Sequence, residues 1–127
     1  MGEHRTRIVS VVDDDESLRR SLKNLLGSVG FHVETFESAE AFLQSVHRDL
    51  TGCLVLDLRM PGMNGLELLQ HLSGRGVRIP AIILTAHGDD DARRRSLQAG
   101  AVAFLSKPFN GNALLDAVSA GLNAAAP

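Results

Sequence analysis

The chain of 127 residues has no tryptophan, no tyrosine and a single cysteine. One thiol can close no disulfide within the chain, so stability has to come from buried apolar surface, and the pattern fits a reducing cytoplasm. Cys53 sits inside an apolar run and reads as a small buried hydrophobe. No apolar run approaches the roughly 18 residues of a membrane span, and Met1–Arg7 lacks the apolar centre of a signal peptide. A soluble cytoplasmic protein with no membrane contact is therefore expected. An excess of positive charge is missing too: 13 Lys and Arg stand against 15 Asp and Glu, a formal net charge of −2. That balance gives no general attraction to nucleic-acid backbones or anionic lipid, so no direct nucleic-acid contact is expected. Neither repeat nor linker interrupts the chain. It reads as one domain over 1–127, long enough to bury about two thirds of its unfolded surface.

What the chain does have is alternation. Apolar, β-rich runs alternate with helical patterns five times, which predicts an α/β domain with a doubly wound parallel five-stranded sheet and helices on both faces. After the first run, Leu18, Leu22, Leu25, Leu26 and Val29 recur at helical spacing, and Gly27 with Gly30 signals a stop. Phe31–Phe36 alternates in a half-solvated pattern, which places this strand at an edge. Ser38 is the predicted cap of a helix striped by Ala39, Phe42, Leu43 and Val46. Asn64 and Glu67 read as a variant capping box opening a helix to about Leu72. The fourth strand is read over Ile79–Leu84. The segment Gly88–Leu97 carries acids first and arginines later, as the helix macrodipole favours. Only Ala92, Leu97 and Ala99 are plausible inward positions there, so this helix is expected to be the least firmly packed. Leu114, Leu115, Val118 and Leu122 give the last helix its buried face, and residues 124–127 are expected to fray.

Four of the apolar runs end in reactive or charged side chains. Asp13 and Asp14 follow the first, Asp57 follows Cys53–Leu56, Thr85 follows Ala81–Leu84, and Lys107-Pro108 follows Ala103–Leu105. In a parallel sheet all carboxyl ends lie along one edge, and ligands bind just outside it. Two carboxylates about 4 Å apart repel by roughly 4 kcal/mol at an effective dielectric near 20. With Lys107 contributing +1, the three acids retain a charge that one Mg²⁺ balances, and an all-oxygen, water-rich site suits that ion. Asp13, Asp14 and Asp15 also fit the role of helix caps and first-turn acids, and Asp15 is assigned that role alone. Asp57 has no such duty, because the next helix starts near Asn64. Buried beside a metal and an ammonium, it can act as a nucleophile towards phosphorus.

Through Val12-Asp13-Asp14-Asp15, the run from Leu56 to Gly65, Thr85-Ala86-His87-Gly88 and Phe104–Phe109, the sequence resembles the receiver domain of two-component response regulators. The likeness is to the FixJ-type branch of this CheY-like fold and covers nearly the whole chain. It implies strand order 2-1-3-4-5. It implies that Asp57 accepts phosphate from a sensor histidine kinase. Asp14 would ligate Mg²⁺ directly, Asp13 largely through water, and the Arg59 backbone carbonyl would complete the metal shell. Thr85 and Phe104 would form the switch pair and Lys107 the counterion of the phosphate. Arg59 and His87 would tune dephosphorylation, and the Lys107-Pro108 bond would be cis. The surface of helix four, strand five and helix five would change on phosphorylation and support a homodimer. Because Asp89–Asp91 and Arg93–Arg95 crowd helix four, that dimer is expected to be salt-sensitive.

Such a domain catalyses only its own phosphoryl transfer and autodephosphorylation. An aspartate-nucleophile phosphohydrolase, the remote alternative, uses an Asp-x-Asp pattern, and here Arg59 takes the place of its second acid. No helix-turn-helix pattern follows the last helix. The chain therefore reads as a receiver without an output domain, either a stand-alone module acting by protein contacts or part of a regulator of transcription. Other histidines, His4, His32, His47 and His71, share no metal-binding spacing and are assigned no function.

Overall fold

A computed structural model describes residues 7–86 and 90–125 of the chain. Its elements run β1 (Ile8–Val12), α1 (Glu16–Ser28), β2 (His32–Phe36), α2 (Ala39–Leu43), a 3-10 turn (Arg48–Leu50), β3 (Thr51–Leu56), α3 (Gly65–Gly74), β4 (Ala81–Thr85), α4 (Asp90–Gln98), β5 (Ala101–Ser106) and α5 (Gly111–Ala125). All pairings are parallel, in the order β2-β1-β3-β4-β5. The half-polar strand β2 is an edge, as its alternation predicts.

The sheet separates two apolar layers. Val9, Val11, Cys53, Val55, Ile82 and Leu84 pack with Leu22 and Leu26 of α1 and Leu114 and Val118 of α5. Val12, Leu54, Leu56 and Ile83 pack with Phe42 of α2 and Leu68, Leu69 and Leu72 of α3. Strands buried on both faces explain why β1, β3 and β4 read as continuous apolar runs rather than alternating ones. Each fully buried leucine contributes about 1.5–3 kcal/mol. Burial holds the Cys53 thiol unreactive, with its pKa pushed up to about 12.

Caps set the helix starts. The Asp15 side chain accepts the Leu18 N–H, Ser38 Oγ accepts the Ala41 N–H, and Asn64 and Glu67 complete a reciprocal capping box. Each such cap is worth about 1 kcal/mol. Helix ends depart more from expectation. The periodic stripe through Val46 predicts a longer α2, but the helix stops at Leu43 and Val46 is 90% exposed. Val29 caps α1 and points outward, and Leu97 is 44% exposed. The fourth strand begins at Ala81 rather than Ile79, and α5 continues to Ala125 where fraying was expected from 124. In α4 the one fully buried residue is Ser96. Its hydroxyl is the sole buried side-chain polar atom without a hydrogen bond among the described residues. The inward position is thus Ser96 rather than the expected Leu97, and burying an unpaired hydroxyl costs about 1–3 kcal/mol where a leucine would contribute.

Candidate functional site

The carboxyl ends of β1, β3, β4 and β5 converge as the order of the sheet requires. Asp13 follows β1 and is 3% exposed; its backbone N–H donates to the Phe36 carbonyl at 3.1 Å. Asp57 follows β3 and is 7% exposed; its N–H donates to the Val12 carbonyl at 3.1 Å. Both acids are therefore set in place by sheet-like backbone bonds as well as by their side chains. Asp14, next to Asp13, is exposed. One carboxylate oxygen from each of Asp13, Asp14 and Asp57 lies within 4.8 Å of the others, close enough for a shared cation. Three hard carboxylate donors, one of them facing solvent, fit Mg²⁺, which keeps much of its water.

Lys107 reaches this cluster from the loop after β5. Its Nζ donates to Asp13 Oδ2 at 2.9 Å and to Asp57 Oδ2 at 3.3 Å. The Lys107-Pro108 bond is cis, and the Lys107 N–H donates to the Thr85 carbonyl at 3.0 Å. Desolvation disfavours the ammonium charge but is outweighed by hydrogen bonds and attraction from Asp13 and Asp57, so the Lys107 pKa lies above its ordinary value. Asp13 is also shifted upward: burial disfavours its charge more than the Asp15 N–H and Lys107 recover. One ammonium thus leaves the buried acid under-compensated, which is the condition a divalent cation relieves.

Two further contacts hold the frame. Asp57 Oδ1 accepts the Arg59 N–H at 3.2 Å, and Asp13 Oδ1 accepts the Asp15 N–H at 2.9 Å. Gly65 packs against the backbone of Asp57; a Cβ there would lie 2.3 Å from the Asp57 carbonyl oxygen. Thr85 is fully buried at the end of β4, and Phe104 is half-buried on the α2–α3 side of the sheet. His87 lies outside the described residues.

Sequence reasoning missed two supporting residues. Arg19 on α1 donates through Nη1 to the Asp13 carbonyl at 2.7 Å, bracing the loop that carries the acid pair. An Arg on the first turns of the helix following the acids was a usable signal. Glu40 on α2 accepts the Met63 N–H at 3.0 Å and so ties α2 to the loop after Asp57. No local pattern marks it, because its partner is a backbone group 23 residues away.

Comparison with known proteins identifies the family. The response regulator receiver domain family matches residues 9–119. The chain belongs to that family. It is 52% identical over 113 residues to nodulation protein W of Bradyrhizobium diazoefficiens, covering 89% of this chain and 50% of that protein. It is 44% identical over 110 residues to the transcriptional regulatory protein FixJ of Rhizobium meliloti, covering 87% and 54%. Among solved structures, the response regulator StyR superposes with a TM-score of 0.88 at 50% identity, covering 94% of this receiver and 61% of that chain. The receiver thus spans about half the length of the curated relatives it matches. No helix among its described residues is long and apolar enough to cross a membrane.

Proposed function

We propose that this receiver is a phosphorylation-activated switch that takes a phosphoryl group on Asp57 from a sensor histidine kinase in the cytoplasm. The observation that carries the reading is the buried Asp57 carboxylate, 3.3 Å from Lys107 Nζ and within reach of a cation shared with Asp13 and Asp14. An Asp57 oxygen bonds to phosphorus while the P–N bond of the kinase phosphohistidine breaks. The imidazole leaves with the electron pair and regains a proton, and the product is an acyl phosphate. Asp13, Asp14, Asp57 and the Arg59 backbone carbonyl would hold Mg²⁺, which when bound supplies neutralising charge to the phosphoryl oxygens. Lys107 orients the acceptor oxygen and pairs with the phosphate once it is attached. Arg59 and His87 would tune hydrolysis. With Arg59 where a phosphohydrolase would carry its general acid, the domain turns over no external ester.

Output follows by population shift. The phosphoryl group favours the state in which Thr85 meets it and Phe104 turns inward, and the energy available is the difference in phosphate contacts between the two states. The surface of α4, β5 and α5 then changes. We place a phosphorylation-dependent homodimer there, with regulation of transcription through an output domain as the consequence; FixJ, of which this receiver matches about half, carries the name transcriptional regulatory protein. A receiver acting alone by protein contacts is the alternative. In α4 the Arg94–Asp91 pair is already made within the helix, and Leu97 and Val102 are exposed nearby. Sedimentation of beryllofluoride-treated protein at low and high salt distinguishes the forces: a dimer weakened by salt supports charge pairing, and one indifferent to salt assigns the contact to Leu97 and Val102.

The acceptor assignment is tested by incubation with acetyl phosphate and Mg²⁺ followed by intact-mass measurement. One phosphoryl adduct is expected, absent in Asp57→Asn; an adduct that persists in that variant removes Asp57 from the role.

A further inference from the structure

The amino end of the sheet has an opening that the phosphoryl chemistry does not use. A cavity of about 420 Å³ lies between α2 with its 3-10 turn and the C-terminal part of α3 with the loop to β4. Helix α2 stops after five residues at the edge of this cavity, and Val46 beyond it is turned to solvent. Phe42, Leu43, Leu72 and Ile79 form its apolar wall. Arg48, Arg75, Arg78 and His71 also line it, against one acid, Asp49.

The cations are not equivalent. Arg48 donates to the Leu43 carbonyl, and its Nε lies 3.8 Å from Asp49. Arg75 and Arg78 make no ion pair among the described residues. They flank Gly76, whose positive φ of 74° turns the chain back after α3 so that the Val77 N–H donates to the Leu72 carbonyl at 2.9 Å. That turn brings Val77 and both guanidinium-bearing residues to one cavity.

We propose that this cavity is a binding site for a small amphipathic anion, with its apolar body on the Leu43, Leu72 and Ile79 wall and a carboxylate or phosphate at Arg75 and Arg78. The volume is in the range of small-molecule sites, about 300–1,000 Å³. Arginine is the residue suited to planar, two-point recognition of such anions. A small molecule fits the concave wall better than a flat macromolecular surface does. The proposal is independent of the phosphoryl reading, because β3, six residues long, separates this end from Asp57 by roughly 20 Å.

The test is amide chemical-shift mapping of the full chain at constant ionic strength, with 2-naphthoate, its uncharged counterpart 2-naphthamide, and inorganic phosphate as probes. Saturable shifts from naphthoate are expected at residues 42–51 and 71–79. Binding should weaken at least ten-fold in Arg75→Gln/Arg78→Gln, whose dispersed spectrum reports that the fold persists. The amide and phosphate alone should each bind at least ten-fold more weakly than naphthoate. Equal binding of the amide would remove the anion from the assignment, and equal binding of phosphate would remove the apolar body. Absence of saturable shifts at these residues with naphthoate would overturn the site.

Discussion

The two ends of this sheet carry opposite charge and differ in how that charge is held. At the carboxyl end, Asp13 and Asp57 are buried and share one ammonium, with Asp14 at the rim. At the amino end, exposed Arg75 and Arg78 stand around an apolar hollow, with no acid paired to them among the described residues. Buried charge is costly unless paired, whereas exposed arginines cost little. The strained electrostatics therefore sit at one end only. Strands fix where each end lies, but loop residues decide its chemistry, which is why fold alone does not name a function.

The largest expected effect separates the two ends directly. Asp14→Ala should abolish labelling by acetyl phosphate, since it removes the solvent-facing donor of the cation site, while Arg75→Gln/Arg78→Gln should label like the unaltered protein. Labelling rates by mass measurement compare them. Undiminished labelling of Asp14→Ala with Mg²⁺ present would reduce the acid pair to a helix cap.

A smaller effect concerns the tie between α2 and the loop after Asp57. The Met63 N–H, donated to Glu40, holds that carboxyl below its ordinary value. A carboxyl whose folded pKa is depressed adds stability above its ordinary range, and loses it as pH falls through the folded value. Glu40→Gln should therefore unfold at slightly lower urea concentration than the unaltered protein at neutral pH, with the gap closing in acid. Glu40 is exposed to solvent, so the difference is screened and small. A gap that widens in acid would show that the shift has another origin.

Much of this was legible in the chain. An acid, threonine or lysine after four of the apolar runs marks a strand end, and parallel order makes those ends meet. Ser38 and the Asn64–Glu67 pair announced their helices because capping is local chemistry. The half-polar alternation of His32–Phe36 identified an edge strand. The end of α2 was not legible, because Val46 continues the periodicity and no glycine or proline stands between it and Leu43. Val29 and Leu97 likewise keep helical spacing yet face outward, since periodicity names a face but not how far a neighbouring layer extends. Glu40 acts on a backbone group 23 residues away, and so distant a backbone partner leaves no trace in residue type, whereas Arg19, six residues after Asp13, did leave a local one. Gly65, inside the Asn64–Glu67 cap, shows no local sign that its lack of a Cβ lets α3 approach the Asp57 backbone.

The central claim is that metal-dependent phosphoryl chemistry belongs to the carboxyl end alone. Its most direct test is an amide chemical-shift map of the chain with Mg²⁺, before and after beryllofluoride. The account predicts Mg²⁺-dependent shifts at Asp13, Asp14, Asp57 and Arg59. Beryllofluoride should add changes at Thr85, Phe104, Lys107 and the α4–β5–α5 surface, with Arg48, Arg75 and Arg78 unmoved. Beryllofluoride shifts that need no Mg²⁺, or that centre on the amino end, would contradict it.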